Sequence, residues 1–314
     1  MIPTTRTPRR TLRTAALALT LVGGLGLSAC GGGGDPLSES SSSEGGSAAA
    51  GEIVVGSADF SESILLANIY AGALNAEGVD ASTKTGIGSR EVYLKALEEG
   101  SIDVVPEYTG NLALYYDKSF SETDPDKTYA GLEKVLPDGL AALEKSAAED
   151  NDSIVVTKEM ADSKKLQSIE DLAPIADELT LGAPSEFKTR AQGIPGLKKT
   201  YGIEFKTFRP LKPGQATNGA LKNGQIQAAN IFSTDPAIVE NDFVVLEDTK
   251  KLFGSQNIVP LVRTEAEEQV SKTLDAVSAK LTTEKLQALL KRTDIDKEDP
   301  DKVAEDFLKE EGLA

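Results

Sequence analysis

The sequence has no histidine and a single cysteine, Cys30, among its 314 residues. Without histidine there is no Ser-His-Asp triad, no imidazole base and no His-bearing zinc site. One cysteine leaves no internal disulfide, and if that thiol is blocked thiol catalysis goes with it. Long apolar runs are scarce as well. The stretch from Ala15 to Leu27 is apolar over 13 residues but interrupted by glycine, whereas a transmembrane helix needs about 20. No other segment is apolar enough to span a membrane. Acidic residues are missing from the first 29 positions, which hold Arg6, Arg9, Arg10 and Arg13 instead. This is poor material for an enzyme.

What is present at the start of the chain is a basic region, an apolar run and then Leu27-Ser28-Ala29-Cys30. That order describes an export signal over residues 1–29. Leu-Ser-Ala-Cys at the end of an apolar run resembles the bacterial lipobox, in which the thiol carries a diacylglyceryl group; the alternative is an incidental cysteine in an ordinary signal peptide. Two acyl chains supply the anchoring that one chain cannot. The expected location is therefore the outer face of the cell membrane, reached by the general or, through Arg9-Arg10, the twin-arginine route. Residues 30–51 read as a tether, because 16 of the 21 residues after Cys30 are Gly, Ser or Ala. Such a segment cannot bury enough apolar surface to order itself, and its reach is roughly 25 Å. The whole chain carries a formal charge of −17, and removing the four arginines of the signal leaves −21. Nucleic acid and anionic lipid are poor partners for that surface.

The remaining residues repeat one pattern. Ile53-Val54-Val55-Gly56 is a short strand signal, and Asp59-Phe60-Ser61-Glu62 has capping-box spacing before a helical run of Leu65, Leu66, Ile69 and Tyr70. Gly78 stops that helix. A strand to Thr85, a helix that Ser89 can cap and Gly100 ends, and the strand Ile102–Pro106 follow. Strand, helix, strand, helix, strand is a parallel α/β pattern. It returns from Leu179 onward, and Gly78 to Gly202 and Gly100 to Gly224 are both separated by 124 residues. The spacing predicts two similar lobes: 52–154 with 260–314, and 155–259. Ser153–Thr157 and Ile258–Val262 are the expected two-strand hinge. Residues 126–149 read as helical with a break at Pro137, and three C-terminal helices are expected to pack on the first lobe. The same offset superposes Tyr108 on Phe232 and Thr109 on Ser233. Ligands in open α/β sheets bind outside the carboxyl ends of the strands, so the two rings either face one cleft or pack beneath their own loops.

Four segments carry a family resemblance: IVVGSADFSESILLANIYAGALNAEG, GSREVYLKALEEGSIDVVPEYTGNL, EFKTRAQGIPGLKKTYGIEFK and ALKNGQIQAANIFSTDP. They are similar to the glycine betaine/choline/carnitine-type solute-binding proteins of osmoprotectant ABC importers, from about residue 52 to the end. The resemblance implies a type II periplasmic-binding-protein fold that closes on its solute by hinge motion. It also implies permease and ATPase partners, no catalysis, no cofactor and no metal. Members of the family hold a quaternary ammonium in an aromatic cage. A methylated cation donates no hydrogen bond, so π-faces replace water around it.

By that resemblance Tyr108 is a cage ring, Thr109 keeps the accompanying hydroxyl, and Phe232 stands where tyrosine is usual. Lys188 stands where the family often has an aromatic. Its ammonium either enters the cleft, where it would repel a methylated cation, or points to solvent with its stem on Phe187. Arg190 either clamps a carboxylate or makes a surface ion pair. Ser57, Ser89 and Asn111 complete the candidate ligand-binding set. Two further readings remain at this point, a sensory or adhesive lipoprotein on the same fold and a lipid-tethered cell-wall hydrolase using carboxylates.

Overall fold

The computed structural model describes residues 51–314. The expected signal peptide, Cys30 and the tether up to residue 50 lie outside them. Among the described residues no helix is long and apolar enough to cross a membrane.

The first lobe begins with β1 (Ile53–Gly56), whose alternate side chains Ile53 and Val55 are buried. Helix α1 (Ser61–Ala76) follows, and Gly78 ends it with a φ of +82° that an L side chain rarely adopts. Next come β2 (Ala81–Lys84), α2 (Arg90–Glu98), β3 (Val104–Tyr108) and α3 (Thr109–Tyr116). Residues 126–149 are not one interrupted helix, as their sequence suggests. A helix covers Pro125–Val135, started by Asp124, whose carboxylate accepts from the Lys127 N–H. Beyond Pro137 and Gly139 the chain extends into β4 (Leu140–Ala142). There the alanine-rich sequence loses its helical preference to pairing on a sheet edge, a tertiary contact that outweighs local propensity.

The second lobe contains β5 (Asp152–Thr157), β6 (Thr180–Ala183), β7 (Thr207–Pro210), β8 (Ala228–Phe232) and β9 (Phe243–Val245). The last strand, β10 (Ile258–Arg263), returns to the first. The two five-stranded sheets have the orders β2-β1-β3-β10-β4 and β7-β6-β8-β5-β9. These are one topology used twice. In each, the fourth strand, contributed from beyond a crossover, runs antiparallel to its neighbours: β10 against β3 and β4, β5 against β8 and β9. The second sheet already includes Asp152, Ser153 and Ile154, and the first includes Ile258 and Val259. The crossovers therefore lie a few residues ahead of the junctions read from the sequence.

The repeat extends to single contacts. Gly56 and Gly182 each lie under an isoleucine, and a Cβ on either would stand 2.4 Å from the Cδ1 of Ile102 or Ile226 respectively. Those isoleucines are related by the same offset as Tyr108 and Phe232, the last residues of β3 and β8. The C-terminal helices Thr264–Lys280 and Pro300–Glu311 pack on α1, and Leu65, Leu66 and Ile69 share one core with Val270, Leu274, Phe307 and, from the helix Thr283–Leu290, Leu286. Each such side chain taken from water contributes about 1.5–3 kcal/mol. The acids near residue 296 have local partners: Asp294 accepts from Ser61, Asp296 pairs with Lys291, and Asp299 caps the last helix.

Candidate functional site

Both sheets point the carboxyl ends of their parallel strands at one cleft, and the loops there carry its side chains. Ser57 fixes the first loop from behind. Fully buried, its hydroxyl donates to the Ala58 carbonyl and accepts from the Gly86 N–H, each at 2.9 Å. Tyr108 is held at both ends. Its N–H donates to the buried Glu107 carboxylate at 2.9 Å, and its hydroxyl donates to Glu62 at 2.7 Å. Glu107 in turn is clamped by Arg90 through two bonds of 2.8 and 2.9 Å and by the Tyr93 hydroxyl at 2.7 Å. The ring is thus aimed by a buried, bidentate ion pair.

Three rings form one wall. Phe60, on the loop between β1 and α1, stands between the two superposed aromatics, with centroids 6.2 Å from Tyr108 and 5.1 Å from Phe232. Beside them lies a bank of acids, Asp152 being the cross-strand neighbour of Phe232. Asp150 and Asp152, on the crossover into β5, line the cleft, with Glu62 just behind Tyr108. The Thr234 hydroxyl lies 2.5 Å from Glu62 and 2.8 Å from Asp150, so it ties the two carboxyl groups together. Burial pushes Glu62 up to about 7, against the lowering effect of hydrogen bonds from Thr234 and Tyr108. Burial and then the neighbouring Glu62 hold Asp150 well above the usual carboxylate range. Two carboxyl groups this close and dry favour sharing a proton.

The lobes touch across the cleft at several points. Arg190 reaches Glu91 of α2 at 3.3 Å, Lys212 reaches Asp59 at 3.2 Å, and Gln192 donates to Asn111 at 2.9 Å. The enclosed space is about 50 Å³, room for a few waters. This is a nearly closed cleft.

Of the side chains expected from the sequence, Tyr108, Phe232, Ser89, Asn111 and Arg190 line it. Ser89 stands at the start of α2, but its hydroxyl donates to Glu91 at 2.6 Å rather than capping the helix. Three others do not line it. Ser57 ties two loops together, as above. Thr109 is buried, accepting from the Asn257 N–H at 3.2 Å and holding the second crossover. Lys188 is exposed and outside the cleft wall, so it repels nothing bound there. Sequence reasoning missed Phe60, Glu62, Tyr93, Asp150, Asp152 and Asn230. Phe60 and Glu62 were absorbed into a capping box that does not form: Phe60 itself is the N-cap residue, without a side-chain cap, and Glu62 turns inward. The available signal was their position, directly after a strand's carboxyl end.

Residues 51–310 match the family model described as the substrate-binding domain of the ABC-type glycine betaine transport system. The chain belongs to that family. It is 29% identical over 274 residues to the glycine-betaine-binding protein of Pseudomonas aeruginosa, covering 82% of this chain and 88% of that one. Identity to the glycine betaine-binding protein YehZ of Escherichia coli is also 29%, over 84% of this chain and 92% of the relative. A crystal structure titled as a glycine betaine/carnitine/choline ABC transporter superposes with a TM-score of 0.67 at 25% identity, over 83% of this chain and 99% of that one. The two-lobed α/β architecture is that of the periplasmic binding proteins, and the family supplies the extracytoplasmic solute-binding component of ABC importers.

Proposed function

We propose that this chain captures a quaternary ammonium solute of the osmoprotectant class between Phe60, Tyr108 and Phe232 and presents it to an ABC permease and its ATPase. The observation that carries this reading is the set of three rings and neighbouring acids that line one cleft. A methylated cation gains about 0.5–2 kcal/mol from each π-face, and carboxylates in the same cleft compensate its charge without needing it to donate a hydrogen bond. The relatives named for glycine betaine support the class. Titration calorimetry on Tyr108→Ala tests it, with Tyr108→Phe as the companion that keeps the ring and loses only the bond to Glu62. Removing the ring should weaken binding by about 1–3 kcal/mol, tenfold or more, and Tyr108→Phe should lose much less. Equal binding by wild type and Tyr108→Ala would move the site elsewhere.

The receptor is tethered, in this proposal, by lipid on Cys30 through the Gly/Ser-rich segment, which lets the folded part reach a neighbouring permease. Cys30→Ser should release the protein from the membrane fraction or leave the signal uncleaved. A processed variant still pelleting with membranes would refute the anchor.

A further inference from the structure

The cleft contains one acceptor with nothing to accept from. Asn230 lies on β8, two residues before Phe232, and is 3% exposed. Its amide nitrogen donates to Asp152 Oδ1 at 3.0 Å and to the Ser153 carbonyl at 3.3 Å, which fixes the orientation of the group. The opposite atom, Oδ1, is buried and has no hydrogen-bond partner among the described residues. A dry, unpaired acceptor is costly, and a donor brought by the occupant recovers that cost. A quaternary ammonium has no N–H, so the donor must stand elsewhere on the solute.

The charges in the wall point the same way. Two cationic side chains line the cleft, Arg90 and Arg190. Arg90 is paired bidentately with Glu107 through Nε and Nη2. Arg190 reaches Glu91 through two nitrogens at 3.3 Å and lies 3.8 Å from Glu186. Against them the wall presents Asp59, Asp150, Asp152 and Glu186. A solute carboxylate would find each cation already paired with a protein carboxylate and two further carboxyl groups close by, so it would compete for every charge and be repelled by its neighbours.

Resting on the quaternary ammonium reading above, we propose that the preferred solute is a hydroxylated cation without a carboxylate, its hydroxyl donating to Asn230 Oδ1. The cleft then selects against zwitterionic betaines.

Calorimetry on the full chain with tetramethylammonium, choline and glycine betaine separates the outcomes. Choline should bind at least tenfold more tightly than either of the others. Asn230→Leu should bring choline down to the level of tetramethylammonium, with circular dichroism and an unchanged unfolding midpoint showing that the variant is folded. Glycine betaine binding as tightly as choline overturns the proposal, and so does an Asn230→Leu variant that keeps full choline affinity. If tetramethylammonium binds and choline has no advantage, the aromatic site stands and only this inference falls. If none of the three binds, the quaternary ammonium reading fails and takes this inference with it.

Discussion

Glu62 meets the first lobe through Tyr108, the crossover through Asp150 and the second lobe through Thr234. Its acid form is stabilised by folding, since burial raises it from 4.5 to about 7. A raised carboxyl contributes stability that is fully present below the unfolded value and is lost as pH rises through the folded one. The window here runs from about 4.5 to about 7, with Asp150 and Asp235, both also raised chiefly by burial, on the same side of the balance. Glu62→Gln keeps the shape and the bonds to both hydroxyls while removing the titration. Urea unfolding at about pH 5 and about pH 8 should show the wild type losing more stability between the two than the variant. Equal losses would mean that another group carries the pH dependence. None of this was legible in the sequence, where Glu62 occupies the ordinary acidic place in a helix's first turn. Tyr108 and Phe232 were legible because a duplication repeats them at strand ends. Asp150 and Asp152 were not, because their partners in the second lobe are about 80 residues away in sequence and follow no period.

At the scale of elements, strand and helix starts followed from apolar spacing and glycine stops, while β4 did not. Its pairing with β10 joins Leu140 to Arg263, and a window of local sequence contains no trace of that partner. Glycines show the same division between local and distant causes. Gly219 lies within the helix Gln215–Lys222, and a Cβ there meets nothing within 4 Å. Gly110, in the first turn of α3, would bring its Cβ to 2.5 Å from the Ser255 carbonyl oxygen, a backbone atom of the second crossover. The same substitution should therefore have opposite signs. Gly219→Ala should stabilise by about 0.4–1 kcal/mol through the unfolded state, and Gly110→Ala should destabilise by about 1–3 kcal/mol through overpacking. Denaturant midpoints decide it: a Gly110→Ala midpoint at or above the wild type would show that the crossover yields without cost.

For the molecule as a whole the question is what holds the lobes together. Arg190 and Glu91 are 24% and 44% exposed along their side chains, and an ion pair so placed is worth at most about 1 kcal/mol. That shifts an open–closed ratio by roughly fivefold, far less than a solute touching both walls can supply. Arg190→Ala should consequently enlarge the radius of gyration of the free protein only slightly. Saturating solute should shrink it in both proteins, as read by small-angle scattering. A radius that does not move in either would indicate a rigid, preformed site.

The double crossover also dictates an order of assembly. Tyr108 of β3 lies beside Ile258 of β10, 150 residues further along the chain. Until that late segment arrives, β3 presents an open row of backbone donors and acceptors on one side, the kind of edge that recruits stray strands. The first lobe is begun early and finished late, after the second has been laid down. A fragment stopping at residue 154 is on this account an unfinished sheet, lacking the strand that closes its middle. Contacts of such long range are slow to form. The second lobe, whose strands β5 to β9 lie within residues 152–245, can therefore be complete before the first is closed.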